Sequence, residues 1–213
     1  MNRLIGIDFD NTIACYNTLF YNEGLSSGVI GPKTPVDKKA IRDNILLWHD
    51  DIAWQKLQGR VYGPEMKRAE LIGGVRDFIQ ISRAVKDRVV VISHKTEFAN
   101  FDPTKTNLRQ AALAWMHAHR LFDQTMKGFS TEDVFFEATR ADKIDRINKL
   151  ACDFFIDDLE EVLLDKSLDN SVTKILFQRN ASAAPPPLNV FASWAEISFF
   201  VHGGEGFSRE DNR

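Results

Sequence analysis

Asp8-Phe9-Asp10-Asn11-Thr12 closes a short apolar run, Leu4-Ile5-Gly6-Ile7, with two carboxylates one residue apart. Alternate side chains of an extended backbone share a face, so Asp8 and Asp10 meet at one site while Phe9 turns into packing. Carboxylates that close repel one another in a dry pocket, and a hard divalent cation such as Mg2+ resolves the conflict through oxygen ligands. One carboxylate can then serve as nucleophile and its neighbour as general acid and base. The plainer alternative is a turn, which Asp and Asn favour after a strand. Asp157-Asp158 ends another apolar run and would complete the oxygen cage, unless Asp158 simply caps a helix over 159–164. Ser93 ends a third run. Its hydroxyl, beside the free amides of the next turn, suits a phosphoryl oxygen, although such a serine is often only a cap. Lys143, in Ala141-Asp142-Lys143-Ile144, could reach and neutralise a cluster of acids, although most lysines at helix starts are solvated.

These residues need strands to carry them. The runs at 4–8, 88–93, 153–157 and 173–177 read as buried parallel strands. Helical patterns lie between them. Val75, Phe78, Ile79 and Ser82 share one face; Leu108, Ala111, Ala112, Trp115 and Met116 share another, and Ile144 and Ile147 repeat within 143–150. Strands alternating with helices imply an α/β fold: a doubly wound, Rossmann-like parallel sheet with right-handed crossovers. Ligands in such sheets sit beyond the carboxyl ends of the strands, where Asp8, Ser93 and Asp157 fall.

Residues 14–72 break the alternation. Gly24 to Pro35 reads as loop; 37–57 reads as one amphipathic helix with Ile41, Ile45, Trp48, Ile52 and Leu57 on its stripe. A short helix is expected from Pro64 to Ile72, and Gly73-Gly74 then interrupts the chain. The implied division is a core of 1–13 and 73–202, a small, mostly helical cap of 14–72 inserted after the first strand, and a flexible tail of 203–213. Pro185-Pro186-Pro187 reads as a stiff connector.

Composition narrows the function classes. The chain has 213 residues, 44% hydrophobic and 27% charged, with a net charge of −3 and no basic run, which argues against a nucleic-acid polymer as partner. Cys15 and Cys152 have no metal-ligand spacing and suit a reducing compartment. The first apolar run meets Asp8 too soon for a signal peptide, and Val190 to Val201, interrupted by Glu196, is too short to span a bilayer. A cytoplasmic protein without membrane contact is the expectation; a homo-oligomer stays open.

Taken together these residues resemble the haloacid dehalogenase-like superfamily in order, type and setting. Asp8-x-Asp10-x-Thr12 looks like its first motif, Ser93 its second, Lys143 its third and Asp157-Asp158 its fourth, and the 14–72 segment resembles its C1-type cap. The resemblance implies a phosphatase in which Asp8 becomes an acylphosphate and Asp10 protonates the leaving oxygen, then activates water. It also implies that Ser93 and Lys143 hold the phosphoryl group. Mg2+ would be held by Asp8, the Asp10 carbonyl and Asp157, directly or through Asp158 and water. Keeping Asp10 favours oxygen leaving groups over halide. His94-Lys95 departs from the second motif and is read, with Asn11 and Thr12, as substrate-binding; residues 132–141 offer no family feature.

The expected substrate is a small phosphate ester, a sugar or polyol phosphate, beneath a lid that opens and closes about Gly73-Gly74. The lid's aromatics, Tyr16, Phe20, Tyr21, Trp48, Trp54 and Tyr62, form either its own core or an apolar ceiling, and Arg60, Lys67 and Arg68 could face the pocket. Competing functions are a nucleoside monophosphate 5'-nucleotidase, a non-catalytic module on the same fold, and a glycosyltransferase using Asp8-x-Asp10 as a nucleotide-sugar metal site.

Overall fold

The computed structural model describes residues 2–179 and 188–203. The triple proline at 185–187 and the tail from 204 onward lie outside the described residues. Six strands form one sheet: β1 (Leu4–Ile7), β4 (Arg88–His94), β5 (Val134–Glu137), β6 (Phe154–Asp157), β7 (Thr173–Phe177) and β8 (Asn189–Phe191). Their order is β5-β4-β1-β6-β7-β8 and every pair is parallel. Around the sheet lie α4 (Val75–Ala84), α5 (Leu108–Ala118), α6 (Arg140–Leu150), α7 (Glu160–Leu163) and α8 (Trp194–His202). The α/β doubly wound architecture is the one the sequence implies.

The alternation of β4 explains the two layers. Val89 and Val91 join a core with Phe78, Ile79, Trp115 and Trp194, whereas Val90 and Ile92 face Ile144, Ile147 and Phe155 on the opposite side. Both faces are dry, which is why β4 reads as a continuous apolar run rather than an alternating one. The helices start where side chains supply caps: the Asn107 carboxamide oxygen accepts from the Gln110 amide at 3.0 Å, and the Thr139 hydroxyl from the Asp142 amide at 3.1 Å.

Between β1 and α4 the chain inserts α1 (Asn17–Ser26), α2 (Lys38–Trp48) and α3 (Asp51–Tyr62) on a two-stranded neck, β2 (Ala14–Cys15) antiparallel to β3 (Glu70–Leu71). The single helix expected over 37–57 is two. Asp50 accepts from the Ala53 amide at 2.7 Å and restarts the helix there. The break turns Trp48 and Ile52 outward, 72% and 45% exposed, while Ile41, Ile45 and Leu57 stay buried. α1 was not expected, since its weakly patterned sequence hid it. From Pro64 to Ile72 there is only a 3-10 turn at Met66–Arg68 before β3, because the segment must return to pair with β2.

Strand β5 is the other departure: the 132–141 stretch without a family feature contains the sheet's edge strand and the cap of α6. All four of its residues are half-buried, whereas β1 and β6, of the same length, are largely buried. Gly74 holds φ +87° at the start of α4, and a Cβ there would fall 2.8 Å from Trp194 Cβ. That glycine meets a tight turn under a packed tryptophan.

Candidate active site

Asp8 leaves β1 with its amide donating to the Ile156 carbonyl at 2.8 Å, so the chain stays beside β6 for one residue beyond the strand. That register brings Asp8 level with Asp157, the last residue of β6. Lys143, on the first turns of α6, reaches under both. Its ammonium donates to Asp8 Oδ1 at 2.6 Å and Asp157 Oδ2 at 2.7 Å, and the side chain is 2% exposed. A buried ammonium costs several kcal/mol unless paired; two carboxylates supply the pairing. Burial works to lower the Lys143 pKa, but Asp157 and Asp8 outweigh it and hold the amine charged.

Asp158 adds a third carboxylate. One oxygen from each of Asp8, Asp157 and Asp158 lies within 4.8 Å of the others, an acidic cluster of oxygen donors suited to a hard cation. Three carboxylates against one ammonium leave surplus negative charge. Burial first, then Asp157 and Asp10, push the Asp8 carboxyl up to about 7 against the opposing pull of Lys143, and burial with Asp157 and Asp8 raises Asp158. Asp158 does not cap a helix. Leu159 precedes α7 without a side-chain cap, and Asp157 Oδ1 accepts the Leu159 amide at 3.0 Å.

Asp10 stands apart from this cluster. Its Oδ1 accepts from the Tyr16 hydroxyl at 2.6 Å, and both oxygens accept from Lys95, at 3.1 and 2.9 Å. Burial works to raise its pKa; Lys95 and Tyr16 overcome that and hold it below the usual carboxylate range. Lys95 is 4% exposed, and its ammonium lies 5.6 Å from the Phe9 ring centroid and 4.9 Å from that of Tyr62. Its amide donates to the Glu137 carbonyl at 2.9 Å, extending the sheet pairing one residue past β4. Lys95, read as substrate-binding, thus lines the cavity with its charge paired to Asp10.

Ser93 is 1% exposed, lines the cavity, and its Oγ has no hydrogen-bond partner among the described residues. Asn11 lines the same cavity with φ +61°, and His94 sits on its wall. Burial and then Lys143 depress the His94 pKa, against a backbone bond to Ala138. Thr12 is the exception. It is fully buried, lies away from the cavity lining, and its carbonyl accepts from Trp194 Nε1 at 3.1 Å. Of the residues read as substrate-binding, Thr12 is thus the one outside the cavity lining.

The cavity is about 600 Å3. Core residues form its floor; Lys38, Gln55, Gln58, Gly59 and Tyr62 of the insertion form its roof, and Phe98, Ala99, Asn100 and Leu159 rim it. The insertion has its own aromatic core, with Phe20 stacked on Trp54 at 5.2 Å and Tyr16 edge-on to Tyr62 at 4.9 Å. Arg60 and Arg68 do not enter the cavity. Both converge on buried Glu23, each at 2.5 Å. Lys38, Gln55, Gln58 and Arg140 were not foreseen. Nothing local separates Lys38 from Lys39, and only the packing of α2 on α1 and α3 turns one of them inward.

No protein-family model matches the sequence, and no curated protein matches it. Solved structures do. A predicted phosphoglycolate phosphatase from Haemophilus somnus aligns with TM-score 0.58 at 13% identity, covering 94% of this chain and 98% of that one. A haloacid dehalogenase family hydrolase from Deinococcus radiodurans, with bound phosphate and sodium, aligns at 0.57 and 11% identity over 96% of both chains. A haloacid dehalogenase-like protein from Streptococcus pneumoniae aligns at 0.56 and 13%, covering 94% and 98%. These likenesses run over nearly the whole chain, whose sheet edge gathers Asp8, Ser93 and Asp157 with Lys143 of α6: its fold is that of the haloacid dehalogenase-like hydrolases.

Proposed function

We propose that the chain is a Mg2+-dependent phosphomonoester hydrolase that works through a phospho-aspartate on Asp8, with residues 14–72 as a C1-type cap over a core of 1–13 and 73–202. Its substrate in this reading is a small phosphorylated metabolite of the sugar or polyol phosphate kind. The observation that carries the reading is Lys143, buried and bridging Asp8 and Asp157, beside a third carboxylate that the lysine does not neutralise. The donor set fits the cation that the fold family uses: buried carboxylate oxygens with surplus negative charge. Asp8, Asp157 and Asp158 would hold Mg2+, which when bound neutralises the acids and polarises a phosphoryl oxygen.

The chain's own residues account for the remaining chemistry. Lys143 occupies Asp8 Oδ1, which leaves Oδ2 to attack phosphorus. The bond to the leaving oxygen breaks as the Asp8–phosphorus bond forms, and Asp10 gives that oxygen its proton. Asp10, now a carboxylate, takes a proton from water; the water oxygen attacks phosphorus, and phosphate leaves Asp8 free. Tyr16 and Lys95 favour the carboxylate form of Asp10, suited to that second step; the proton it gives in the first step is the one it took from water in the turnover before. Ser93 Oγ is an open donor for an equatorial phosphoryl oxygen, where charge develops in the transition state.

The test is phosphate release from a panel of phosphorylated metabolites, nucleoside monophosphates included, with Mg2+ or EDTA. Turnover is expected with Mg2+ alone and is expected to fall by at least about 1000-fold in Asp8→Asn, since a carboxamide cannot take the place of the attacking carboxylate. Equal activity in Asp8→Asn would overturn the reading. A strong preference for one base would favour the nucleotidase. Against it stands Tyr62, whose ring is already taken by Lys38 and Lys95.

A further inference from the structure

Four cationic side chains line the cavity: Lys38, Lys95, Arg140 and Lys143. Three are neutralised by carboxylates, Lys95 by Asp10, Lys143 by Asp8 and Asp157, and Arg140 by Glu161 at 2.9 Å. Lys38 is not. Among the described residues it forms no ion pair, and its ammonium instead lies 5.6 Å from the Tyr62 ring centroid and 5.9 Å from that of Phe20. It is the first residue of α2, held in place by its amide, which donates to Asn17 Oδ1 at 3.2 Å, and by the adjacent Asp37 cap. Aromatic faces steady a cation but do not cancel its charge. Gln55 and Gln58, one turn of α3 apart, line the same roof; Gln55 Nε2 donates to Asp51 and its Oε1 accepts from Asn100 at 3.1 Å, which fixes that carboxamide at the cavity mouth with one N–H to spare.

The roof thus carries one positive charge with no carboxylate in ion-pair contact, Asp158 and Asp10 acting on it only from beyond that distance, opposite a floor equipped for the phosphoryl group. We propose that Lys38, with Gln55 and Gln58, forms a leaving-group subsite that selects phosphate esters whose organic part carries a second anionic group. This rests on the phosphatase reading and narrows it to phosphorylated polyhydroxy acids or bisphosphates of a few carbons. Tyr62 hydrogen-bonds Lys38, and burial first, with Lys38 opposing, pushes its hydroxyl up to about 12, so it stays a neutral partner and leaves the ammonium its full charge. Binding energy from such a remote anion orients the ester over Asp8, which raises turnover as well as affinity.

The experiment measures kcat/KM of full-length protein with Mg2+ on matched esters: 3-phosphoglycerate against glycerol 3-phosphate for a carboxylate, and 1,3-propanediol bisphosphate against 3-hydroxypropyl phosphate for a second phosphate. Wild type is expected to prefer the anionic member of at least one pair, and the preferred pair names the anion. In Lys38→Met that preference is expected to shrink by roughly 10- to 100-fold, the worth of one charge-assisted hydrogen bond, and Lys38→Arg to restore part of it. Thermal melting confirms that both variants fold. Wild-type preference for the neutral esters, or equal losses on both members of each pair in Lys38→Met, would overturn the proposal while leaving the phosphatase reading intact. Absence of turnover on every ester, p-nitrophenyl phosphate included, would overturn both.

Discussion

At the scale of single residues, the acid cluster is short of positive charge, and its protonation answers to metal. Asp8 titrates at about 7 because burial and the neighbouring carboxylates penalise its charged form more than Lys143 rewards it. Its folded pKa lies above the ordinary carboxylate value of about 4, so the metal-free fold binds a proton that the unfolded chain releases between those two values. That contribution to stability is present at low pH and is lost as pH rises through about 7. Mg2+ must displace the same proton. The rise in Tm on adding Mg2+ is therefore expected to be larger at pH about 8 than at pH about 5.5. Equal shifts at the two pH values would show that the cation binds elsewhere.

At the scale of elements, β1 is where packing tolerance is least. Gly6 lies between Ile5 and Ile7 and faces β6; a Cβ there would stand 2.6 Å from Phe155 Cδ2 and 3.2 Å from Cys152 Sγ. Neither neighbour can retreat, since Phe155 and Cys152 are buried beneath α6. Gly6→Ala is expected to destabilise the fold by about 1–3 kcal/mol, the usual cost of overpacking, and to lower the denaturant midpoint without changing the slope. An unchanged midpoint would mean that β1 and β6 separate more easily than their register suggests. The insertion is tied to the core more loosely. Trp115 Nε1 donates to the Ala69 carbonyl at 2.9 Å, and Asn100 Nδ2 to Gln55 Oε1 at 3.1 Å across the cavity mouth.

At the scale of the whole molecule, no helix among the described residues is long and apolar enough to cross a membrane, and the chain just before β1 and the end of α8, far apart in sequence, meet at Asp87. Arg3 near the start and His202 near the end of α8 both approach Asp87, the former at 2.5 Å and the latter at 3.8 Å. Cys152 reports on the opposite side of the sheet, where α6 leads into β6. Burial first, then Asp153, pushes its thiol up to about 12, so almost no thiolate exists near neutral pH. Alkylation of Cys152 by iodoacetamide at pH about 8 is expected to proceed only at the rate of global unfolding. Rapid modification of the folded protein at this cysteine, located by peptide mapping, would show that the α6–β6 corner opens independently.

The sequence alone determined the sheet strands β1, β4, β6 and β7, the helices α4 to α6, and the gathering of Asp8, Asp10, Ser93, Lys143, Asp157 and Asp158 at one sheet edge. Strands buried on both faces must be apolar runs, and acids or hydroxyls at their ends can only sit at one edge of a parallel sheet. The edge strand β5 and the weakly patterned α1 escaped because half-buried positions place little demand on residue type. The division of α2 from α3 escaped for another reason: the helical period runs on through the Asp50 cap and says nothing of where the axis turns. Which charges meet was decided by tertiary structure. Lys95 went to Asp10, Arg60 and Arg68 to Glu23, and Lys38, alike in sequence to its neighbour Lys39, into the cavity with no carboxylate in ion-pair contact among the described residues. A lysine's long stem reaches in many directions, and only the packed neighbours of its helix choose among them.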